Sequence, residues 1–276
     1  MNLERYFERI GYAGSTRPDH GTLRALHTAH VLHVPFENLD VQLGHPLTTE
    51  VPAAYAKIVE RRRGGWCYEQ NGLLGWALAE LGFEVTRIAG AVMRQVNGEA
   101  TAASHLCLLV RVPGSGREHL VDVGFGGSLL EPIEVAETEQ HHAPFGIRLK
   151  AVGDGYWRFE ERVEEEAFGF DFRTEPADER ALAGKCEYLQ TSAESPFVLN
   201  AVVQQRGPGI HTSLRGRVLT TITTTGTQER LIDCADEFAD VLADTFALDL
   251  PEAAGLWPRI LNRHEQLGLQ SSPRLD

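Results

Sequence analysis

Four cysteines in 276 residues is a small number. Cys67, Cys107, Cys186 and Cys234 are scattered, with no CxxC pair. That excludes a disulfide-dense scaffold and offers no zinc-ligand spacing. No uninterrupted apolar run approaches the roughly 20 residues needed to span a bilayer. The opening stretch, MNLERYFERIGYAG, carries charges where a signal peptide needs an apolar segment. Basic residues are also short, 26 Lys and Arg against 39 Asp and Glu, for a formal net charge of −13. Nucleic acid is therefore a poor partner, since phosphate backbones need a concentrated basic surface. The acidity gathers in runs such as EERVEEE (160–166), which read as solvated faces. The expectation is a cytoplasmic protein, with no membrane partner and an open oligomeric state.

What is present is a change of pattern along the chain. Residues 1–83 read as helical. GTLRALHTAHVLH places Leu23, Leu26, His27, His30 and Val31 on one face until Pro35 stops the run. VPAAYAKIVERRR starts with Pro52 in the first turn and is expected to stop at Gly64-Gly65. A further helix is expected from about Cys67 to Leu81, with Leu73, Leu74, Ala77, Leu78 and Leu81 as its buried stripe. Residues 84–190 read as strands. FEVTRIAGAVMRQV, SHLCLLVRV and EHLVDVGF are rich in β-branched residues, and PGSG (113–116) joins the last two as a hairpin. GIRLKAV and YWRFEERV pair across Gly153-Asp154-Gly155. Residues 191–276 are mixed, with RVLTTITTT and QERLIDC as strands and DEFADVLADTFAL and PEAAGLWPRILNRHEQL as helices. Helices, then strands, then mixed elements argue for an α+β protein of several subdomains.

RGGWCYEQNGLL (63–74) carries the chemistry. The glycine pair lets the chain turn before Trp66, which puts Cys67 in the first turn of the next helix. A thiol there faces open amide N–H groups and the positive end of the helix dipole, and both stabilise negative charge on sulfur. The same amides can hold a developing oxyanion. The bland alternative, a small buried hydrophobe, is accepted for Cys107, Cys186 and Cys234. If Val112 and Arg117 pair across PGSG, Cys107 faces Asp122 and His105 faces Gly124. His105 and Asp122 then share one face, diagonally placed at about 7–8 Å between backbones. A slip of one residue would separate them. Asp122 is the lone charge in LVDVGF, and a buried carboxylate must find a partner. In the functional reading Asp122 orients His105, and His105 draws the proton from Cys67. In the structural reading Asp122 ends a strand and caps a turn. His27, His30 and His33 recur every third residue. With no HExxH or neighbouring cysteine, His30 or His27 is read as packing against the next helix, and no metal site is expected. HH (141–142) is read as a solvated loop.

HVPFENLD (33–40), RGGWCYEQNGLL (63–74), SHLCLLV (104–110) and VDVGFGG (121–127) together resemble the arylamine N-acetyltransferase family. The resemblance implies a helical bundle, an antiparallel β-barrel and an α/β lid, with a Cys-His-Asp core similar to that of cysteine proteases and transglutaminases. It implies that 1–83 supplies the nucleophile Cys67, 84–190 supplies His105 and Asp122, and 191–276 is the lid. It implies a ping-pong reaction in which acetyl-CoA, a co-substrate rather than a bound cofactor, acetylates Cys67. An arylamine, arylhydrazine or N-hydroxyarylamine then takes the acetyl group. Further implied positions are Phe36 and Phe125 as walls of the acceptor pocket, and Thr101, Ser104 and Phe197 as contacts on the CoA side. Gly124, Gly126 and Gly127 are implied to let the backbone approach CoA or acceptor. Arg63 and Glu69 are implied to form a buried pair bracing the Cys67 turn. Two alternatives keep the same triad: an amide synthase closing a polyketide chain onto an aromatic amine, and a cysteine hydrolase.

Overall fold

The computed structural model describes residues 1–163 and 166–268. Two glutamates of the EERVEEE run, Glu164 and Glu165, lie outside them. The chain opens with helices α1 (Leu3–Arg9) and α2 (His20–His33), then a two-residue strand β1 (Phe36–Glu37). Short helices α3 (Leu39–Leu43) and α4 (Val51–Tyr55) follow, and α4 runs into a π-helical turn over Ala56–Glu60. Helix α5 (Cys67–Glu80) starts at the cysteine, as its glycine-tryptophan approach predicts.

Strands β2 (Glu84–Val92), β3 (His105–Arg111), β4 (Glu118–Val121), β5 (Ile133–Glu134), β6 (Thr138–His142), β7 (Phe145–Gly153), β8 (Tyr156–Val163) and β9 (Glu166–Phe172) form one antiparallel sheet. A short helix α6 (Arg94–Asn97) and a 3₁₀ turn (Gly98–Thr101) separate β2 from β3. The strand order is β5-β4-β3-β2-β9-β8-β7-β6. Among the described residues the edge strands β5 and β6 do not pair, so the expected barrel is a curled sheet that stays unclosed.

Helices α7 (Glu179–Thr191) and α8 (Pro196–Leu199) lead to β10 (Val202–Gly207), β11 (Ile210–Arg215), β12 (Val218–Thr223) and β13 (Gly226–Leu231). This second sheet is also antiparallel, and its first strand is β1, borrowed from the N-terminal region. Helix α9 (Ala235–Phe246), a 3₁₀ turn (Pro251–Leu256) and α10 (Trp257–Leu267) are the last elements among the described residues, so PEAAGLWPRILNRHEQL is a 3₁₀ turn and a helix rather than one helix.

Two packing facts position the site. Leu73, Leu74, Ala77 and Leu78 of α5 are fully buried against a cluster that includes Leu108, Val110 and Val121 of β3 and β4. Each such leucine contributes on the order of 2 kcal/mol, so helix and hairpin are fixed to each other. The other face of β3, with Cys107 and Leu109, packs inside the curled sheet on Ile88, Leu120, Phe170 and Phe172. β3 is therefore buried on both faces, which explains its nearly unbroken apolar run. The hairpin register is the one expected from PGSG: Leu108 opposes Val121 and Arg111 opposes Glu118.

Other sequence expectations are revised. The helix before Gly64-Gly65 does not stop at the glycines. Arg62, at φ 55°, takes the left-handed conformation that ends it. Of the two histidines, His30 meets its neighbours α1 and α5, hydrogen-bonding the Tyr6 hydroxyl at 2.8 Å beside the Gln70 side chain, whereas His27 contacts the Asp122 and Leu130 carbonyls. His142 is buried in β6 and accepts from the Leu130 amide at 3.1 Å, so only His141 fits the solvated reading. Cys234 is exposed at the start of α9, unlike the three buried cysteines.

Candidate active site

The two glycines before Cys67 are required by close approach. Gly65 donates to Pro35 O at 3.2 Å and accepts from the Glu37 amide at 3.1 Å, which stitches the turn to β1. A Cβ on Gly64 would lie 2.3 Å from the Pro35 carbonyl oxygen, so only glycine fits. The Trp66 amide donates to Glu69 Oε2 at 3.2 Å, and Glu69 N donates back to Trp66 O at 3.0 Å. Indole has no acceptor, so this is half of a capping box. Cys67 thus occupies the first helical position, 4% exposed, at the end of α5 where amides are open.

His105 starts β3 and Asp122 follows β4. His105 Nε2 lies 2.6 Å from Asp122 Oδ2, with both residues 2% exposed. Burial by itself lowers the basicity of His105. The Asp122 charge and hydrogen bond, with a further contribution from Cys67, override this and push its pKa up to about 10. With Nε2 on the carboxylate, Nδ1 is the nitrogen left for the thiol, and the Cys67 side chain is a hydrogen-bonding neighbour of the ring. Asp122 is held in turn. Its Oδ1 accepts from Asn71 Nδ2 at 2.8 Å and from the Gly124 amide at 2.9 Å.

Asn71 was not singled out from the sequence. It lies four residues after Cys67, on the same helical face, and that spacing was the available signal. Its Nδ2 also donates to Leu106 O at 2.6 Å, and its Oδ1 accepts from Val123 N at 2.9 Å. One amide therefore ties the cysteine helix to both strands that carry the other two groups. His27 grips the same strand end from behind. Burial lowers its pKa to about 4, so it is neutral. An Nδ1–H donating to Leu130 O at 3.1 Å leaves Nε2 to accept from Asp122 N at 3.3 Å.

Arg63 and Glu69 are buried beneath the turn but are not partners of each other. Arg63 Nη2 donates to Glu37 Oε1 at 2.9 Å and Asp40 Oδ1 at 3.1 Å, while Glu69 Oε2 accepts from Lys57 Nζ at 3.0 Å. Lys57 also lies 3.1 Å from Asp40 and 3.5 Å from Glu37. The expected pair is thus a five-membered network of three carboxylates and two cations, with Lys57 at its centre. Burial pulls the Lys57 ammonium down, but Glu37, Glu69 and Asp40 more than reverse that and raise it. Burial raises the Glu69 carboxyl, against the lowering by Lys57. Lys57 gave no sequence signal, because it stands in an ordinary helical run.

The aromatic positions fall on two sides of the cysteine. Phe36 belongs to the apolar cluster that contains Cys67, Trp66 and Tyr68, and Phe197 packs against it. The Phe197 ring lies 5.5 Å from Trp66 and 6.3 Å from Phe36. Phe125 meets the His105 ring edge-on at 5.1 Å and stacks on Phe168 at 5.2 Å. The three glycines after Asp122 face protein. A Cβ on Gly124 would lie 2.6 Å from Cys67 Cα, one on Gly126 1.9 Å from Gln204 Oε1, and one on Gly127 2.9 Å from Arg206 Cβ. Ser104 accepts from Val92 N at 3.0 Å and Thr101 donates to Gly98 O at 2.9 Å, so both hydroxyls brace the loop leading to His105. Among the described residues, no group of three or more His, Cys, Asp or Glu side chains is placed to hold a metal ion.

Fold and site together define a class: α+β proteins in which a helix-borne thiol, a strand-borne imidazole and a carboxylate lie in sequence. Comparison with known proteins narrows it. Residues 19–254 match the N-acetyltransferase family model. The chain is 40% identical over 262 residues to the arylamine N-acetyltransferase of Mycolicibacterium smegmatis, covering 92% of this chain and 94% of that protein. A solved structure of M. smegmatis arylamine N-acetyltransferase superposes with a TM-score of 0.87 at 38% identity, covering 95% and 98% of the two chains. The Mycobacterium marinum arylamine N-acetyltransferase in complex with CoA superposes with a TM-score of 0.86 at 33% identity, covering 96% and 99%. The chain belongs to the arylamine N-acetyltransferase family.

Proposed function

We propose that this protein transfers the acetyl group of acetyl-CoA to the nitrogen of arylamines, arylhydrazines or N-hydroxyarylamines through a thioester on Cys67. His105 Nδ1 takes the Cys67 proton, and the sulfur attacks the acetyl carbonyl. Amides at the start of α5 stabilise the oxyanion. The C–S bond to CoA breaks, and the CoA sulfur leaves with the proton held by His105. The amine nitrogen then attacks the acetyl-Cys67 carbonyl. Its surplus proton passes to His105, and the Cys67 sulfur departs and regains a proton. Asp122 holds the ring and stabilises its cation throughout. Exchange between two thiols is close to energy-neutral, and a weakly basic aromatic amine is already unprotonated at neutral pH. Phe36 and Phe125 suit a flat aryl acceptor.

The observation that carries this reading is the 2.6 Å His105–Asp122 contact beside a buried thiol at a helix start. Initial rates at varied acetyl-CoA and arylamine test it, with released CoA thiol as readout. The proposal predicts parallel double-reciprocal lines. CoA release that does not depend on amine would instead indicate a hydrolase, and no turnover with any small arylamine would point to an amide synthase.

A further inference from the structure

Away from Cys67, basic side chains converge on a small, partly open cleft between α10, the turn joining β11 to β12, and the segment after α8. Arg215, Arg217, Arg259, Arg263 and His264 line it, and among the described residues no aspartate or glutamate does. In a chain of net charge −13 this is a local reversal of sign. The cations come from separate parts of the fold. Arg259 and Arg263 lie four residues apart on α10, while Arg215 and Arg217 flank Gly216, whose φ of 57° makes the turn.

The hydrogen-bond partners of Arg217, Arg259 and Arg263 are mostly neutral. Arg217 Nε donates to Ile232 O at 3.0 Å, Arg259 Nη1 to Gln42 O at 3.3 Å, and Arg263 Nε to Asn200 Oδ1 at 3.3 Å. Arg259 also donates to Val198 O. Arg217 has a carboxylate near it, Asp233 at 3.3 Å, but that side chain is 85% exposed and is not part of the cleft wall. For Arg259 and Arg263 these bonds are to carbonyl and amide oxygens, which fix the forks without cancelling their charge, whereas Arg217 also faces the carboxylates of Asp233 and Glu237. Structural bracing accounts for those bonds but not for gathering like charges around a cavity. Arginine forks match the paired oxygens of a phosphate group.

We propose that this cleft binds a phosphate-bearing anion, a phosphomonoester or pyrophosphate group, on Arg217, Arg259 and Arg263. Two sources share that chemistry. The wall residues Leu199 and Asn200 end and cap α8, whose Phe197 packs on Trp66 beside Cys67, so one candidate source is the phosphates of the acyl donor. An independent phosphorylated molecule is the other source.

The test is calorimetric titration of the full chain with inorganic pyrophosphate, then with CoA. Saturable pyrophosphate binding is expected. Arg263→Gln should weaken it by roughly tenfold or more, and Arg263→Lys by less, while Arg5→Gln, which removes an exposed charge elsewhere, should leave it unchanged. Parallel weakening of CoA assigns the site to the donor's phosphates; pyrophosphate binding to CoA-saturated protein assigns it to a separate ligand. Absence of saturable binding, or equal weakening by Arg263→Gln and Arg5→Gln, overturns the proposal. The readout is binding, so the result stands apart from whether acetyl transfer is confirmed.

Discussion

Asp122→Asn is the substitution that separates the account from a merely structural role for the carboxylate. Against the opposing effect of burial, Asp122, with a smaller contribution from Cys67, raises His105 from the ordinary 6.5 to about 10. At about 1.4 kcal/mol per unit, that is on the order of 5 kcal/mol in favour of imidazolium. Without the negative charge, burial wins and His105 falls below its ordinary value. Hydrogen bonding adds a second effect. The Asn side-chain oxygen would keep the bonds from Asn71 and the Gly124 amide, which turns its NH₂ toward His105 Nε2. The ring must then place its proton on Nδ1, where it faces Cys67 as a donor instead of a base. Alkylation of Cys67 by iodoacetamide at pH 7 should slow by roughly a thousandfold, and acetyl transfer by a similar factor. The near-isosteric change should leave the fold intact, which circular dichroism can verify. Alkylation within about tenfold of the parent, with the fold intact, would refute the reasoning.

Other outcomes follow from the same geometry. Lys57→Met leaves buried Glu69 without a cation and Glu37 and Asp40 to Arg63, and should cost about 3–5 kcal/mol in denaturant unfolding; a loss under about 1 kcal/mol would contradict the network's role. Gly124→Ala sets a methyl 2.6 Å from Cys67 Cα, so kcat/KM should drop by roughly a hundredfold as the cysteine is displaced from the imidazole; unchanged kinetics would show that the loop yields without moving the sulfur. Burial lowers His27 to about 4 and His30 to about 3. The unfolded chain therefore binds more protons than the folded one once the pH falls below about 6.5, and stability drops with it. His105, raised instead of lowered, partly offsets this, so these three groups together give a loss of about 3 kcal/mol between pH 7 and pH 5, to which His119 and His142, also lowered by burial, add. Flat stability over that range, measured by urea unfolding at each pH, would contradict the neutral burial of both histidines.

The parts legible in the sequence were those governed by local rules. PGSG fixed the β3–β4 register, and the register placed His105 and Asp122 on one face. The glycine pair and the apolar stripe located the start of α5. What local patterns could not show depends on contacts between distant segments. Glu37, Asp40 and Lys57 each look like an ordinary polar residue, and they become a network only when β1 and α3 fold over the Cys67 turn. Gly124 reads as a flexible loop glycine, yet the Cys67 backbone lies against it. Closure of the sheet was unreadable for the same reason, since it depends on whether β5 and β6 meet. His142 looked solvated because the strand that buries it is edged by prolines and polar residues.

The most direct measurement is the intact mass of the protein after brief exposure to acetyl-CoA, before and after an arylamine is added. The account predicts a gain of one acetyl group, mapped by peptide analysis to Cys67, that disappears as N-acetylated amine forms. Turnover that persists in Cys67→Ala, or an acetyl group carried on another residue, would contradict it.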